Sequence, residues 1–228
     1  MFEGIIMKKK DCVKQLVFGV SFNHMFKLLD YWGEIADDIL YKNKYFSSEV
    51  FTNISTQYTT ERSLSNPQKQ HSLVITSNNL VFTQTIEEDF DKEYELFKAR
   101  ITEYIIPKIL CKYILVVRRL GIVYISEFNE HQLLSFSSKY FKPTVQNIMD
   151  FRFSKKEATS QGKLISDNTD FINKIFTVGN LKNEFQGISY DYQMHFNPLR
   201  EDVRDVIVSF INKADNDFTI DILNNIEG

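Results

Sequence analysis

The residues with the clearest chemical potential are two adjacent arginines, Arg118 and Arg119, which directly follow the apolar run 114–117. A guanidinium in such a strand needs a partner, because charged side chains are rarely buried alone. Adjacent strand residues point to opposite faces, so each arginine needs its own carboxylate or ligand. We expect at least one of them to be more than half buried. It would lie in a salt bridge, for instance to Asp191 or Glu127, or, for Arg119, against an anionic ligand.

A second set of polar side chains shares one face of a predicted strand. Asp191, Gln193 and His195 alternate with Tyr190 and Tyr192, and this alternation predicts a strand with one polar and one apolar face. The acid and the imidazole are about 13–14 Å apart along it, which is too far for a catalytic dyad. The polar face is either solvated or part of a binding surface. The candidate ligand-binding residues are Arg118, Arg119, Tyr124, Asp191 and His195.

No set of residues in the sequence predicts catalysis. The histidines, His24, His71, His131 and His195, lie in different predicted elements and lack the spacing of a zinc site. The sequence also lacks a glycine-rich phosphate loop and a nucleophile elbow. We therefore expect a protein with no catalytic residues, no metal and no cofactor.

The composition is that of a globular protein. Of its 228 residues, 27 are Lys or Arg and 30 are Asp or Glu, which gives a formal net charge of −3. This balance lacks the cationic surplus that dominates nucleic-acid affinity, so we expect only weak, non-specific nucleic-acid binding. No apolar run is long enough to span a membrane. The two cysteines, Cys12 and Cys111, fit reduced thiols in a cytoplasmic protein.

Hydrophobic periodicity predicts a strand, a helix, three strands and a helix in the first half of the chain. The strands are predicted at 16–22, 50–58, 72–76 and 80–85, and the helices at 25–40 and 90–109. Asn23 is the expected N-cap of the first helix. Pro107 indicates a kink or an early end in the second, and the polar stretch 61–70 predicts a loop.

The same order of elements is predicted in the second half. Its strands lie at 113–128, 149–153, 171–178 and 188–196, and its helices at 133–142 and 199–211. Asn197-Pro198 is typical of a helix start, with Asn as the cap and Pro as the first helical residue. The segment 215–224 fits either a continued helix or a short strand.

The repeated order predicts an α+β fold of two tandem β-α-β-β-β-α units, 1–112 and 113–228, with antiparallel sheets covered by helices. The two units form either separate domains or one continuous domain. Their order resembles the tandem units of the TATA-binding-protein-like saddle, in which each unit carries an additional strand.

The segment 119–126, RLGIVYIS, resembles the R-x-G-x-x-Y-I segment of a sporadically distributed, uncharacterised bacterial family of comparable length. The strand residues 189–192, SYDY, and the closing helix 206–218 are similar to the same family. The resemblance implies a bacterial cytosolic protein with an α+β fold, and it implies no particular activity.

Three functions remain open at this point. The first is a non-catalytic interaction module that binds a protein partner, which the family's sporadic distribution suggests to be co-encoded in a defence or toxin-neutralising context. The second is a binding protein for a small anionic ligand, with Arg118 or Arg119 as anchor in an aromatic-lined cavity. The third, and the least favoured, is an enzyme, for which the sequence offers no nucleophile–base pair and no metal set. The sequence predicts no oligomeric state.

Overall fold

The computed structural model describes residues 9–47, 50–53, 60–114, 116–129, 151–159, 169–181, 185–200 and 204–218. Its helices are α1 (Lys9–Cys12), α2 (Lys27–Asp30), α3 (Trp32–Tyr41), α4 (Phe90–Ala99), a π-helix (Arg100–Leu110), α5 (Cys111–Tyr113) and α6 (Arg204–Asp217). Its strands are β1 (Val13–Phe22), β2 (Thr52–Asn53), β3 (Arg62–Asn66), β4 (His71–Ile75), β5 (Asn79–Thr85), β6 (Val117–Glu127), β7 (Phe151–Ala158), β8 (Phe171–Leu181) and β9 (Phe185–Arg200).

All the described strands belong to one antiparallel sheet, in the order β2-β3-β4-β5-β1-β6-β9-β8-β7. The two central strands, β1 and β6, pair directly with each other. Strands from both sides of residue 112 therefore share a single sheet. With helices packed against it, the fold is α+β, as the sequence predicted.

Helices cover one face of this sheet. The alternating buried side chains of β1 and β6 on that face are Leu16, Phe18, Val20, Phe22, Leu120, Ile122 and Tyr124. Phe97 of α4 stacks on Phe82 of β5, with ring centroids 5.6 Å apart. Phe218, directly after α6, stacks on Tyr124 at 4.9 Å. We call this the covered face and the opposite one the open face.

The long helical segment after β5 does not end at Pro107. Instead, α4 continues as the π-helix from Arg100 to Leu110, with Pro107 inside it, and then as α5. Ile101, Ile105 and Ile109 of the π-helix are fully buried. This packing offsets the backbone hydrogen bond that a proline cannot donate.

The first residue of the π-helix, Arg100, is a buried guanidinium that sequence patterns did not reveal. It is 0% exposed. Its Nε donates to the backbone oxygen of Tyr45 at 3.0 Å, and its Nη1 donates to Gln84 Oε1 at 2.9 Å. The guanidinium also lies over the ring of Phe46, 5.0 Å from the centroid. Arg100 thereby ties the helix to β5 and to the segment after α3.

Several local predictions for the first half need correction. The stretch 61–70 contains β3 rather than only a loop, because Leu64 is buried and the strand pairs with β4. The predicted helix 25–40 is divided at Tyr31 into α2 and α3. The N-cap of α2 is Phe26, so the expected role of Asn23 as cap is wrong.

Two predictions for the second half are also wrong at their boundaries. Asn197-Pro198 does not begin a helix, since β9 continues to Arg200 and α6 begins at Arg204. Tyr113 belongs to α5, and β6 begins only at Val117. The segment 215–217 is helical, while the remainder of 215–224 beyond Phe218 and the predicted helix 133–142 lie outside the described residues.

Candidate functional site

A shallow depression lies at the centre of the open face, across β5, β1, β6 and β9, with a volume of about 180 Å³. Its floor is backbone, because Gly19 of β1 lies directly opposite Gly121 of β6 in the pairing register. The side chains around this floor include those of Val17, Val81, Val123, Arg119, Asp191 and Gln193.

The space above the two glycines is open. A Cβ atom built on Gly19 would meet nothing closer than the backbone oxygen of Leu80 at 3.9 Å. One built on Gly121 would lie 4.0 Å from Asp191 Oδ1 and from the backbone oxygen of Gly19. Close packing therefore does not require glycine at either position. The effect of the pair is to leave room above the central strands.

Arg119 and Asp191 approach this space from opposite ends. Arg119 lies two residues before Gly121, so both are on the open face of β6. Asp191 of β9 is paired with Val123, two residues beyond Gly121. The two charges influence each other electrostatically without forming an ion pair. Within the described ranges, Arg119 forms neither a salt bridge nor a hydrogen bond.

Gln193 connects the polar side chains of the second half. Its Nε2 donates to Asp191 Oδ2 at 2.6 Å, and its Oε1 lies 3.1 Å from His195 Nε2. Asn173 Nδ2 donates to the same Oε1 at 3.5 Å. The acid and the imidazole, too distant to touch, are thus linked by one amide. A neutral His195 that donates from Nε2 keeps Nδ1 as an acceptor.

The cluster also contains a buried acceptor without a donor. Asn173 is only 9% exposed, and its Oδ1 has no hydrogen-bond partner among the described residues. A buried polar atom left unpaired carries a free-energy penalty of about 1–3 kcal/mol. This oxygen can accept one further hydrogen bond.

Burial and neighbouring cations shift the pKa values of both titratable groups in the cluster. Burial raises the pKa of Asp191, and the hydrogen bond from Gln193 and the charges of Arg119 and Arg152 oppose that rise. Burial lowers the pKa of His195, and Arg119 and Lys156 lower it further. The lowered pKa therefore favours a neutral imidazole at neutral pH, whereas the raised pKa of Asp191 favours its protonated form.

Three cations surround this cluster on the open face. Besides Arg119, they are Arg152 and Lys156 of β7, whose cross-strand partners on β8 are Thr177 and Asn173. All three are exposed. Asp191 is the one acid that the paired rows of described residues place between them. The outer part of this face is thus locally positive, although the whole chain carries a net charge of −3.

The structure brings together three of the five residues predicted as ligand-binding. Arg119 and Asp191 line the depression. His195 is cross-strand partner to Arg119 and stacks on Phe171, with ring centroids 4.5 Å apart. Both arginines are exposed, so the expectation of a largely buried guanidinium is wrong. The expected salt bridges to Asp191 and Glu127 do not form within the described residues.

The remaining two predicted residues lie elsewhere. Arg118 is the extra residue of a bulge, since Ser21 pairs with Arg119 and Phe22 pairs with Val117. Tyr124 is 0% exposed on the covered face, where its hydroxyl lies 3.1 Å from that of Tyr94. The depression is consequently not the aromatic-lined cavity that the sequence suggested. Valines and glycines line it, and the aromatic rings fill the core beneath the helices.

Sequence reasoning missed the glycine floor and Asn173. The signal for the floor was a glycine in the middle of each of the two most regular apolar strands, where glycine weakens a strand unless space is needed. Asn173 lies in a predicted strand, but nothing in its neighbourhood indicated that it would be paired with Gln193.

The described residues contain no group of three or more His, Cys, Asp or Glu side chains that is able to hold a metal ion. None of the described helices is both long and apolar enough to span a membrane. Comparison of the sequence with known protein families and with curated proteins gives no match.

Proposed function

We propose that the protein is a non-catalytic binding module whose ligand is a small anion bound in the depression of the open face. One observation carries the proposal: Arg119 projects into a glycine-floored space without a described ion-pair partner. An unpaired guanidinium supplies planar, forked donors that suit a carboxylate or a phosphate. Arg152 and Lys156 add positive charge on the same face.

The polar side chains of the described open face are linked by hydrogen bonds in a way that suits binding of a ligand. The described open face has a neutral imidazole and a carboxyl group, but Gln193 separates them. No serine, cysteine or lysine nucleophile lies within hydrogen-bonding distance of either group among the described contacts. The proposed role is therefore recognition of a ligand.

Thermal shift with a panel of carboxylates and nucleotides tests this function. At least one anion is expected to raise the melting temperature, and Arg119→Gln is expected to abolish that rise. Arg118→Gln is the matched control, because Arg118 is an exposed neighbour that does not line the depression. Equal stabilisation of both variants by the anion, or no stabilisation by any anion, contradicts the proposal.

We also propose that the sheet is built from two tandem units, 1–112 and 113–228. Outward from the centre, the strand order is β5-β4-β3-β2 beside β1 and β9-β8-β7 beside β6, so the two sides match apart from the short outer strand β2. Aligning Phe22-Asn23 on Phe128-Asn129 also aligns Val17 on Val123, and these two valines are direct partners. That arrangement supports a twofold relation between the units. NMR chemical shifts that report no helix within 133–142 would contradict it.

A protein partner is the second candidate function, favoured by the breadth of the open face. The half-exposed side chains of Val17, Val81 and Val123 make the central part of that face apolar. The resemblance of 119–126 to a sporadically distributed bacterial family supports a co-encoded partner in the cytoplasm. Co-expression with neighbouring genes, followed by purification of the wild type and of Val123→Asp, tests this candidate. A complex that survives Val123→Asp contradicts binding at this face.

A further inference from the structure

We infer that the depression recognises an α-amino carboxylate with an apolar side chain. The carboxylate would bind Arg119, the adjacent N–H donor would bind Asp191 Oδ1, and the side chain would lie against the valines. This inference rests on the proposed function, because it concerns the ligand of the same depression.

The opposed charges define the polarity of the ligand. Arg119 offers donors at one end of the glycine floor, and Asp191 offers an acceptor at the other. Asp191 Oδ2 is engaged by Gln193, whereas Oδ1 points over Gly121 and has no described hydrogen-bond partner. Because the two groups do not meet in an ion pair, each can bind the complementary end of a ligand placed between them. A ligand with a carboxylate and no N–H donor would bind Arg119 alone and leave Asp191 Oδ1 without a donor.

The volume sets the size of the ligand. A cavity of about 150 Å³ is known to hold one benzene molecule, which has six heavy atoms. At about 180 Å³, the depression accommodates a molecule of similar or slightly larger size. A free amino acid or the last residue of a peptide fits this range. A whole nucleotide is too large to be enclosed.

The walls select an apolar side chain. Val17, Val81 and Val123 supply the surface between the two polar ends, and all three are partly exposed without a ligand. Covering them with an aliphatic side chain removes apolar area from water, which favours binding. Leucine and valine are therefore suitable probes.

The same chemistry has two sources, a free amino acid and a peptide carboxyl terminus. Isothermal titration calorimetry with four compounds separates the requirements: L-leucine, N-acetyl-L-leucine, L-leucinamide and 4-methylpentanoate. We expect L-leucine or N-acetyl-L-leucine to bind and the other two, which lack the carboxylate or the N–H donor, to bind about tenfold or more weakly. Tighter binding of L-leucine indicates a free amino acid, and tighter binding of the acetylated compound indicates a peptide terminus.

Variants of the full chain locate the site. Arg119→Gln and Asp191→Asn are each expected to lower the affinity for the tighter-binding of L-leucine and N-acetyl-L-leucine about tenfold or more. Arg118→Gln is expected to leave that affinity unchanged. Gly121→Val places a side chain on the floor and is expected to abolish binding without unfolding the protein, which far-ultraviolet circular dichroism checks. Unchanged binding to Gly121→Val overturns the assignment to this depression.

The outcomes distinguish this inference from the function on which it rests. If 4-methylpentanoate binds as tightly as L-leucine and depends on Arg119, the anion site stands and the requirement for an N–H donor is wrong. If only nucleotides or inorganic phosphate bind through Arg119, the inference is wrong and the proposed function stands. If no compound that carries a carboxylate or a phosphate binds, both are wrong.

Discussion

Gly19 and Gly121 are direct partners across the two central strands of the sheet. A glycine inside a strand weakens it, because the residue loses more backbone entropy on folding and packs no side chain. Two of them side by side concentrate that weakness in the pairing of the two central strands. The depression on the open face is the structural result.

Alanine at Gly121 is expected to leave the protein folded and to stabilise it by about 0.5–1 kcal/mol, since the added Cβ meets only ordinary contacts at 4.0 Å. Gly187→Ala is the contrasting variant, because its Cβ would clash with the backbone oxygen of Ser126. That clash should disrupt the pairing of β9 with β6. Urea unfolding of both variants provides the measurement, and similar stability of the two would contradict the expectation.

The buried guanidinium of Arg100 provides a second prediction. Arg100→Met leaves Gln84 Oε1 and the backbone oxygen of Tyr45 without this donor. The free energy of unfolding is expected to fall by about 1–3 kcal/mol for each buried acceptor. Arg118→Met and Arg119→Met serve as controls and should change stability by less than about 0.5 kcal/mol, because both side chains are exposed. If either control lowers the free energy of unfolding more than Arg100→Met does, the described burial of Arg100 is wrong.

The aromatic core under α6 should be sensitive to truncation. Phe218 stacks on both Tyr124 and Tyr190, at 4.9 and 5.0 Å, and is 3% exposed. Phe218→Ala is expected to destabilise the protein by about 3–5 kcal/mol. Val208→Ala, on the exposed side of α6, should stay within about 0.5 kcal/mol of wild type. Equal urea midpoints for these two variants would show that α6 does not dock as described.

Acidification should destabilise the protein through His195. Burial, together with the charges of Arg119 and Lys156, lowers the pKa of this imidazole in the folded state below its ordinary value of 6.5, so the unfolded chain takes up the proton first. The contribution of His195 to stability is therefore fully present above pH 6.5, and it is lost as the pH decreases through the lowered pKa. The groups facing the ring are Arg119 of β6, Lys156 of β7, Phe171 of β8 and Gln193 of β9.

The measurement compares wild type with His195→Gln at pH 7.5 and at pH 5. The melting temperature of His195→Gln is expected to fall less than that of the wild type between the two conditions. Asp191 acts in the opposite direction, because burial raises its pKa. The stability associated with its protonated form is present below the ordinary aspartate pKa of 3.8 and is lost as the pH rises through the folded pKa. Asp191→Asn is therefore expected to be at least as stable as wild type at pH 7.5. A lower melting temperature would contradict that sign.

The two cysteines should react at very different rates. Cys111 is exposed, whereas Cys12 is buried, and burial and the nearby Asp11 raise the pKa of its thiol to about 11. Because the thiolate is the reactive form, Ellman's reagent should modify one thiol in the native protein and both after denaturation. Rapid modification of two thiols under native conditions would show that Cys12, at the end of α1, is not buried as described.

The sequence was informative wherever burial follows a simple period. Alternation in β1 and in β9 and helical spacing in α4 predicted these elements, because each has one buried face that determines its residues. It failed at β3, where Leu64 is the main apolar signal in a polar segment, and at Asn197-Pro198, where sheet pairing prevails over a local capping pattern. These outcomes depend on neighbours that are distant in the chain.

The candidate site was predictable only in part for the same reason. The polar face of Asp191, Gln193 and His195 followed from alternation, and their side chains do share hydrogen bonds. The proximity of Arg119 to Asp191 depends on the register between β6 and β9. The bulge at Arg118 depends on pairing with β1. Neither register can be deduced from a single strand.

The central position of β1 has a consequence for biosynthesis. β1 is translated before its partner β6, which follows about a hundred residues later. At typical translation rates, β6 emerges on the order of 5–20 s after β1. Throughout that interval one edge of β1 has no strand to pair with, and long-range pairing of this kind also folds slowly. The nascent chain therefore passes through a period in which an apolar strand edge is open to other chains, and completion of β6 ends it.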